Sequence, residues 1–136
     1  MVKKEGMPII TQGRRKTSIA RAILTKGSGK IKINSFSFET FEPKLAKEEI
    51  KEALTIIGEP VKEVDINVKV SGGGWQSRAD AIRVAICKAM AQYDKKLRTT
   101  IESYNRAFIV SDTRTREPCK PYSKSSARAK HQTSKR

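Results

Sequence analysis

The sequence is short of nearly everything that builds a catalytic or metal centre. It holds one histidine, His131, and two cysteines, Cys87 and Cys119, which form no C-x-x-C pair. That speaks against a disulfide framework and against zinc, and it fits reduced thiols in a cytosolic setting. No apolar run approaches the length of a membrane span. The opening MVKKEGMPII has no apolar h-region, and Glu5 argues against a transit peptide, so a soluble intracellular protein is expected. The last seventeen residues, KPYSKSSARAKHQTSKR, contain no acid and no Val, Ile, Leu, Met, Phe, Trp or Cys. Such a stretch has nothing to bury in a core.

What is present is positive charge. At 136 residues the chain fits one domain with a tail left over, and 37% apolar residues suffice for a small core although aromatics are few. The net charge is +15, a self-repulsion that a polyanionic partner explains, nucleic acid first and an anionic membrane second. The signs are sorted along the chain. Residues 1–38 carry nine Lys/Arg against one Glu, whereas residues 39–70 carry five Lys against eight Asp/Glu. Residues 71–111 carry seven cations and three acids, and residues 112–136 eight cations and two acids. An acidic middle therefore lies between basic ends.

Periodicity predicts an α+β domain. TSIARAILT, 17–25, reads as a strand, KGSGK as a turn, and IKIN as the return of a hairpin, with Phe36 and Phe38 continuing as a short extended piece. From Pro43 to Gly58, Ala46, Ile50, Ala53, Leu54 and Ile57 recur at helical spacing, and Glu48, Glu49 and Glu52 read as the solvated face. DINVKV, 65–70, alternates as a half-buried strand. A helix bearing Ile82, Ala85, Ile86, Ala89 and Met90 follows three glycines, and Leu97, Ile101, Tyr104 and Phe108 mark a third amphipathic segment. After residue 110 the apolar pattern stops, and the remainder taken alone reads as disordered.

The triple glycine 72–74 lies where phosphate loops occur, between strand and helix, but it matches neither dinucleotide nor P-loop spacing. It is better read as a tight turn or a close backbone approach. Backbone N–H groups at the helix start, with Arg78 in the first turn, suit a single phosphate of a polynucleotide. His131 has no partner for acid–base work, so no enzyme and no cofactor are expected. QGRRKTSIARA is the stronger signal: Arg14, Arg15 and Lys16 cluster just before the first strand expected, and Arg21 shares a strand face with Ile19 and Ile23. In the tail, Arg114, Arg116, Lys120, Lys124, Arg128, Lys130, Lys135 and Arg136 are spread singly between small residues. That spacing suits an extended chain meeting one phosphate after another, and neutralising about six phosphates gives a log–log salt slope of roughly −4 to −5.

Three segments in order resemble the universal small-subunit ribosomal protein nine family, over nearly the whole chain from Gln12 to Arg136. GRRKTSIARA is similar to the family's G-K-R-K-[ST]-x-I-A-R-A, and GGGWQSRADAIRVAI to its glycine-rich G-G-G-x-x-G-Q-A-x-A-x-R. SDTRTREP with ARAKHQTSKR is similar to its D-x-R-x-x-E tail and basic end. Ser77-Arg78 stands where Gly-Gln is usual, and Asp112-Thr113-Arg114 where D-P-R is common. The body looks archaeal or eukaryotic, the Ser134-Lys135-Arg136 ending bacterial. The resemblance implies a mixed β-sheet packed by helices, related to the second domain of small-subunit protein five, with an extension at 1–11, a body at 12–110 and a basic arm at 111–136. It also implies a structural, non-catalytic constituent of the cytoplasmic small ribosomal subunit. Its expected partners are head rRNA of the 3′ major domain, neighbouring head proteins and the anticodon stem-loop of peptidyl-site tRNA, with no membrane and no homo-oligomer. Carried over by position, Arg14, Arg15, Lys16, Arg21, Arg78, Arg114, Arg116, Lys120, Lys124, Arg128 and Lys130 face rRNA, and Lys135 and Arg136 contact tRNA. The rivals are a free RNA-binding module and a small-molecule kinase, although SGGGWQSR lacks the serine-rich loop of that group.

Overall fold

Segments of two-residue alternation become strands, and segments of helical spacing become helices, in a computed structural model that describes residues 7–121, 123 and 126–128. Chain order is β1 (Ile9–Arg15), β2 (Ser18–Lys26), β3 (Ile31–Ile33), β4 (Phe36–Ser37), α1 (Lys44–Ile57), β5 (Val64–Ser71), α2 (Trp75–Tyr93) and α3 (Lys95–Tyr104). The class is α+β, with one mixed sheet ordered β1-β2-β5-β3-β4 and the helices on one of its faces. β1–β2, β2–β5 and β3–β4 pair antiparallel, and β3 runs parallel to β5.

The core lies between the sheet and α2, with α1 packed beside α2. Ala20, Ala22 and Leu24 of β2 and Val64, Ile66 and Val68 of β5 point inward and are buried. They meet Ile82, Ala85, Ile86, Ala89 and Met90 of α2, all 0% exposed, and Ala46, Ile50, Ala53 and Ile57 of α1. Each large aliphatic side chain so buried contributes roughly 1.5–3 kcal/mol. Alanine at the β2–α2 contact keeps the helix close to the strand.

Two expectations are corrected. The hairpin between 17–25 and 31–34 does not form, because β5 inserts between β2 and β3. The intervening loop instead crosses the start of β5: Gly27 N–H donates to the Glu63 carbonyl at 3.0 Å. The Asp65 carboxylate accepts from the N–H of Ser28 and of Lys30, each at 2.9 Å, and these bonds hold its pKa below the usual 3.8. The second correction is β1 itself. Arg14 and Arg15 do not precede the first strand; they end it, and Lys16 occupies the β1–β2 turn with φ 51°. Thr11 and Gly13 take the inward positions of β1, and Thr11 Oγ1 donates to the Ala85 carbonyl at 2.8 Å. A Cβ on Gly13 would strike the Ala81 carbonyl and the Ala85 N–H, so the strand's inner side must be small here rather than aliphatic.

Candidate nucleic-acid interface

Two groups of cations in the body stand out. The first lies in the seam between α1, α2 and α3. Arg83 emerges from α2 among buried neighbours, its side chain 18% exposed. It donates through Nη1 to Glu52 Oε2 and through Nη2 to Asp80 Oδ1, both at 2.6 Å. Its guanidinium lies 4.8 Å from the centroid of the Phe108 ring, a cation–π contact. The Tyr104 hydroxyl donates to Glu52 Oε1 at 2.9 Å. Glu48 is exposed as expected of a solvated face, but Glu52 is drawn into this pairing and Glu49 Oε2 is buried without a hydrogen-bond partner. Burial first, and then the nearby charge of Asp80, pushes the Glu49 carboxyl above its ordinary 4.5.

The seam continues to the base of the arm. Arg15 pairs through Nη1 with Asp112 Oδ2, and its Nε lies 3.5 Å from Asp80 Oδ2. Asp112 also accepts from Arg114, through its backbone N–H at 2.8 Å and its Nη2 at 2.7 Å. Lys88 Nζ donates to Ser111 Oγ at 2.7 Å. The end of β1, α2 and the first arm residues are thereby joined by one run of charged groups. Arg15, one of the expected phosphate ligands, has its charge engaged by two carboxylates of its own chain.

The second group lies on the open face of the sheet. Alternation turns Arg14, Arg21, Lys32 and Lys69 away from the helices, and the register aligns them in rows: Gln12, Arg21 and Lys69 across β1, β2 and β5, then Arg14, Ile19 and Ser71 beside them. Arg21 shares this face with Ile19 and Ile23, as the alternation of β2 requires. Among the described residues, Arg21, Lys32 and Lys69 have no side-chain hydrogen bond or ion pair, and Arg14 donates only to the carbonyl of Lys16, at 3.3 Å. The one outward acid of β5, Asp65, is occupied by the 27–30 loop. A shallow depression lined by Ile19, Arg21, Lys69, Val70 and Ser71 lies on this face. A second, lined by Gln12, Arg14, Ser111, Asp112, Thr113 and Thr115, leads from its edge to the arm.

The glycine loop acts through close approach. Gly72 and Gly73, at φ 75° and 63°, lie against Thr17 of the β1–β2 turn and Ser18 at the start of β2, and Ser18 Oγ donates to the Gly72 carbonyl at 3.0 Å. The same carbonyl accepts from Arg78 Nε at 3.0 Å, which holds Arg78 beside the loop and exposed. Trp75, at the start of α2, is 46% exposed. Cys87 is buried, and burial pushes its thiol up to about 12, which makes it unreactive at neutral pH.

Residues 111–121 form no helix or strand. Lys120 N–H donates to the Ser126 carbonyl at 3.1 Å, and Arg128 Nη2 to Glu117 Oε1 at 2.7 Å. Arg116 and Lys120 are exposed, with no side-chain partner among the described residues. Lys124, Lys130, Lys135 and Arg136 lie outside the described residues. Sequence reasoning missed Arg83 and Lys69; the Asp80–Arg83 spacing and the outward alternation of DINVKV were the available signals.

Comparison with known proteins adds an independent finding. The model of the family described as Ribosomal protein S9/S16 matches residues 13–136. The protein "Small ribosomal subunit protein uS9" of Picrophilus torridus is 45% identical over 130 residues, covering 94% of this chain and 97% of that one. The proteins of the same name from Methanococcus maripaludis and Methanococcus vannielii are each 45% identical over 130 residues, covering 93% of this chain and 96% of theirs.

Proposed function

The chain belongs to the ribosomal protein S9/S16 family, and from that premise we propose that it holds the rRNA of the small-subunit head, in the 3′ major domain, and extends its arm towards the peptidyl-site tRNA. It is a structural, non-enzymatic constituent of the small ribosomal subunit, working in the cytoplasm with rRNA and other subunit proteins. The observation that carries the reading is the extent of the family match, which runs through the arm to residue 136.

In this reading the body, which takes in β1 from Ile9, positions the arm from residue 111. Arg14, Lys16, Arg21, Arg78, Arg114, Arg116, Lys120, Lys124, Arg128 and Lys130 meet rRNA phosphates, and Arg15 serves the same contact by gripping the arm's first carboxylate. Phosphate contacts give affinity and register, while the shape of the folded RNA supplies selectivity. Lys135 and Arg136 reach the backbone of the anticodon stem-loop.

A tagged copy of the chain should sediment with the small subunit in cell extract; a copy that stays with free protein overturns the reading. For the tip, deleting Lys135 and Arg136 should weaken tRNA binding to isolated small subunits while incorporation persists. Unchanged tRNA affinity removes the tip from the proposal and leaves the rRNA contacts standing.

A further inference from the structure

Arg21 and Lys69 are direct partners in the β2–β5 register. Like charges directly opposite one another on neighbouring strands repel and weaken the sheet, and here none of the described residues relieves them. Each side chain is without an ion pair or hydrogen bond among the described residues. Their row ends in neutral Gln12, and the neighbouring positions are Ile19, Ile23, Asn67 and Ser71. No carboxylate stands beside the pair in this register. Both cations are exposed, and Ile19 beside them is 38% exposed, so the pair is open to an anion from outside. A depression lies between them, lined by Ile19, Arg21, Lys69, Val70 and Ser71.

We infer that Arg21 and Lys69 jointly hold one phosphate of an RNA backbone, which makes the open sheet face an RNA-docking surface separate from the arm. The inference rests on the rRNA-binding reading above and adds to it a face and a residue, Lys69. Charge complementarity argues for a phosphodiester as the occupant. Two cations at directly paired positions suit the two free oxygens of one phosphate, with the guanidinium giving a forked contact and the ammonium a point charge. Arg14 and Lys32 continue the positive face on either side, so successive phosphates find a cation along it. The isoleucines offer apolar contact to sugars between those phosphates.

The test uses the full chain and an in vitro transcript of the 3′ major domain of small-subunit rRNA. Arg21→Gln, Lys69→Gln and the double variant are titrated across a salt series, with melting temperature measured on the free proteins. Each single variant should bind about tenfold more weakly, and the double variant should flatten the log–log salt slope by roughly 0.7 to 0.9, the value of one phosphate. The double variant should lose clearly less than the product of the two, because both act on one phosphate. Lys69→Arg should retain affinity. Free Lys69→Gln should melt higher, by up to about 5 °C, since removing one charge ends the repulsion.

Wild-type affinity and slope in both glutamine variants overturn the inference, and if incorporation into subunits then falls, the face belongs to an acidic protein neighbour instead. Fully multiplicative losses overturn the shared phosphate. A lower melting temperature for Lys69→Gln overturns the repulsion from which the pair was recognised. A wild-type chain that does not bind the transcript brings down the rRNA-binding reading itself, a result distinct from normal wild-type binding with unaffected variants.

Discussion

Arg83 and Arg21 belong to the same small body, and their surroundings are opposite. Arg83 sits in the helical seam with Glu52 on one side, Asp80 on the other and the Phe108 ring beneath it. Arg21 stands on the open sheet face with Lys69 as its cross-strand neighbour and, among the described residues, no acid to meet it. Total charge does not distinguish the two, but pairing does. In the seam the carboxylates of the acidic middle, together with Asp80, neutralise cations that hold the helices together. On the sheet face, and among the described residues of the arm at Arg116 and Lys120, the cations stand open to an external anion. A chain of net charge +15 is thus divided into charge that is internally satisfied and charge that is available.

Removing Arg83 tests the comparison most severely. Arg83→Met keeps the length of the stem, leaves Glu52 and Asp80 without their cation, and ends the contact with Phe108. Breaking one member of a buried ion pair costs about 3–5 kcal/mol, and the partial exposure of this seam brings the expectation to about 2–3 kcal/mol. Urea unfolding monitored by circular dichroism measures it. Because Arg83 lies away from the open face, RNA affinity of the folded fraction should change little. A variant that keeps its stability but loses RNA binding would erase the distinction between the two groups.

Asp112 stands where the two groups meet, since it binds Arg15 of the body and Arg114 of the arm. Asp112→Ala should cost about 1 kcal/mol, the value of a partly exposed charged network. It should also speed amide exchange at Arg114, whose N–H donates to the carboxylate at 2.8 Å, by about fivefold. Arg15 would then be held by Asp80 alone, at 3.5 Å. Unchanged exchange at Arg114 would show that the arm's start is held by Lys88 and Ser111 without help from Asp112.

Much of this division is readable in the sequence, and the part that is not has a common cause. Alternation in SIARAIL and DINVKV places Arg21 and Lys69 outward, and helical spacing identifies the inner faces of α1 and α2. These are local properties of the chain. The pairing of Arg21 with Lys69 depends on β5 entering the sheet between β2 and β3, a long-range choice that local pattern does not contain. β1 escapes pattern reading for a different reason: its inward residues are Thr11 and Gly13, small because α2 presses on them, so the usual aliphatic signal is missing. The Arg83 network joins residues on α2, α1 and the segment after α3. Only the i,i+3 link to Asp80 is local, and Glu52, 31 positions away, is brought in by helix packing. Arg15 shows the limit of reading a basic cluster as a unit, for its neighbour Arg14 is open and Arg15 is not.

The smallest effect concerns Glu49, the one acid of the seam that gains no partner for its buried oxygen. Burial and the charge of Asp80 raise its pKa above 4.5, so folding favours its protonated form. Its contribution to stability is therefore fully present below 4.5 and is lost as the pH rises through the higher folded value. Asp65 works in the reverse sense. Its pKa is lowered from 3.8 by the N–H groups of Lys30 and Ser28, so its contribution is present above 3.8 and lost as the pH falls through the lowered value. Glu49→Gln removes the first dependence and keeps the second. The variant should be more stable than wild type at pH 7 by less than about 0.5 kcal/mol, given solvent screening at this partly exposed site. The two curves should converge as the pH falls towards 4.5. A variant less stable than wild type at pH 7 would mean that Glu49 is ionised and usefully paired with Arg83, and the seam would then satisfy every one of its charges.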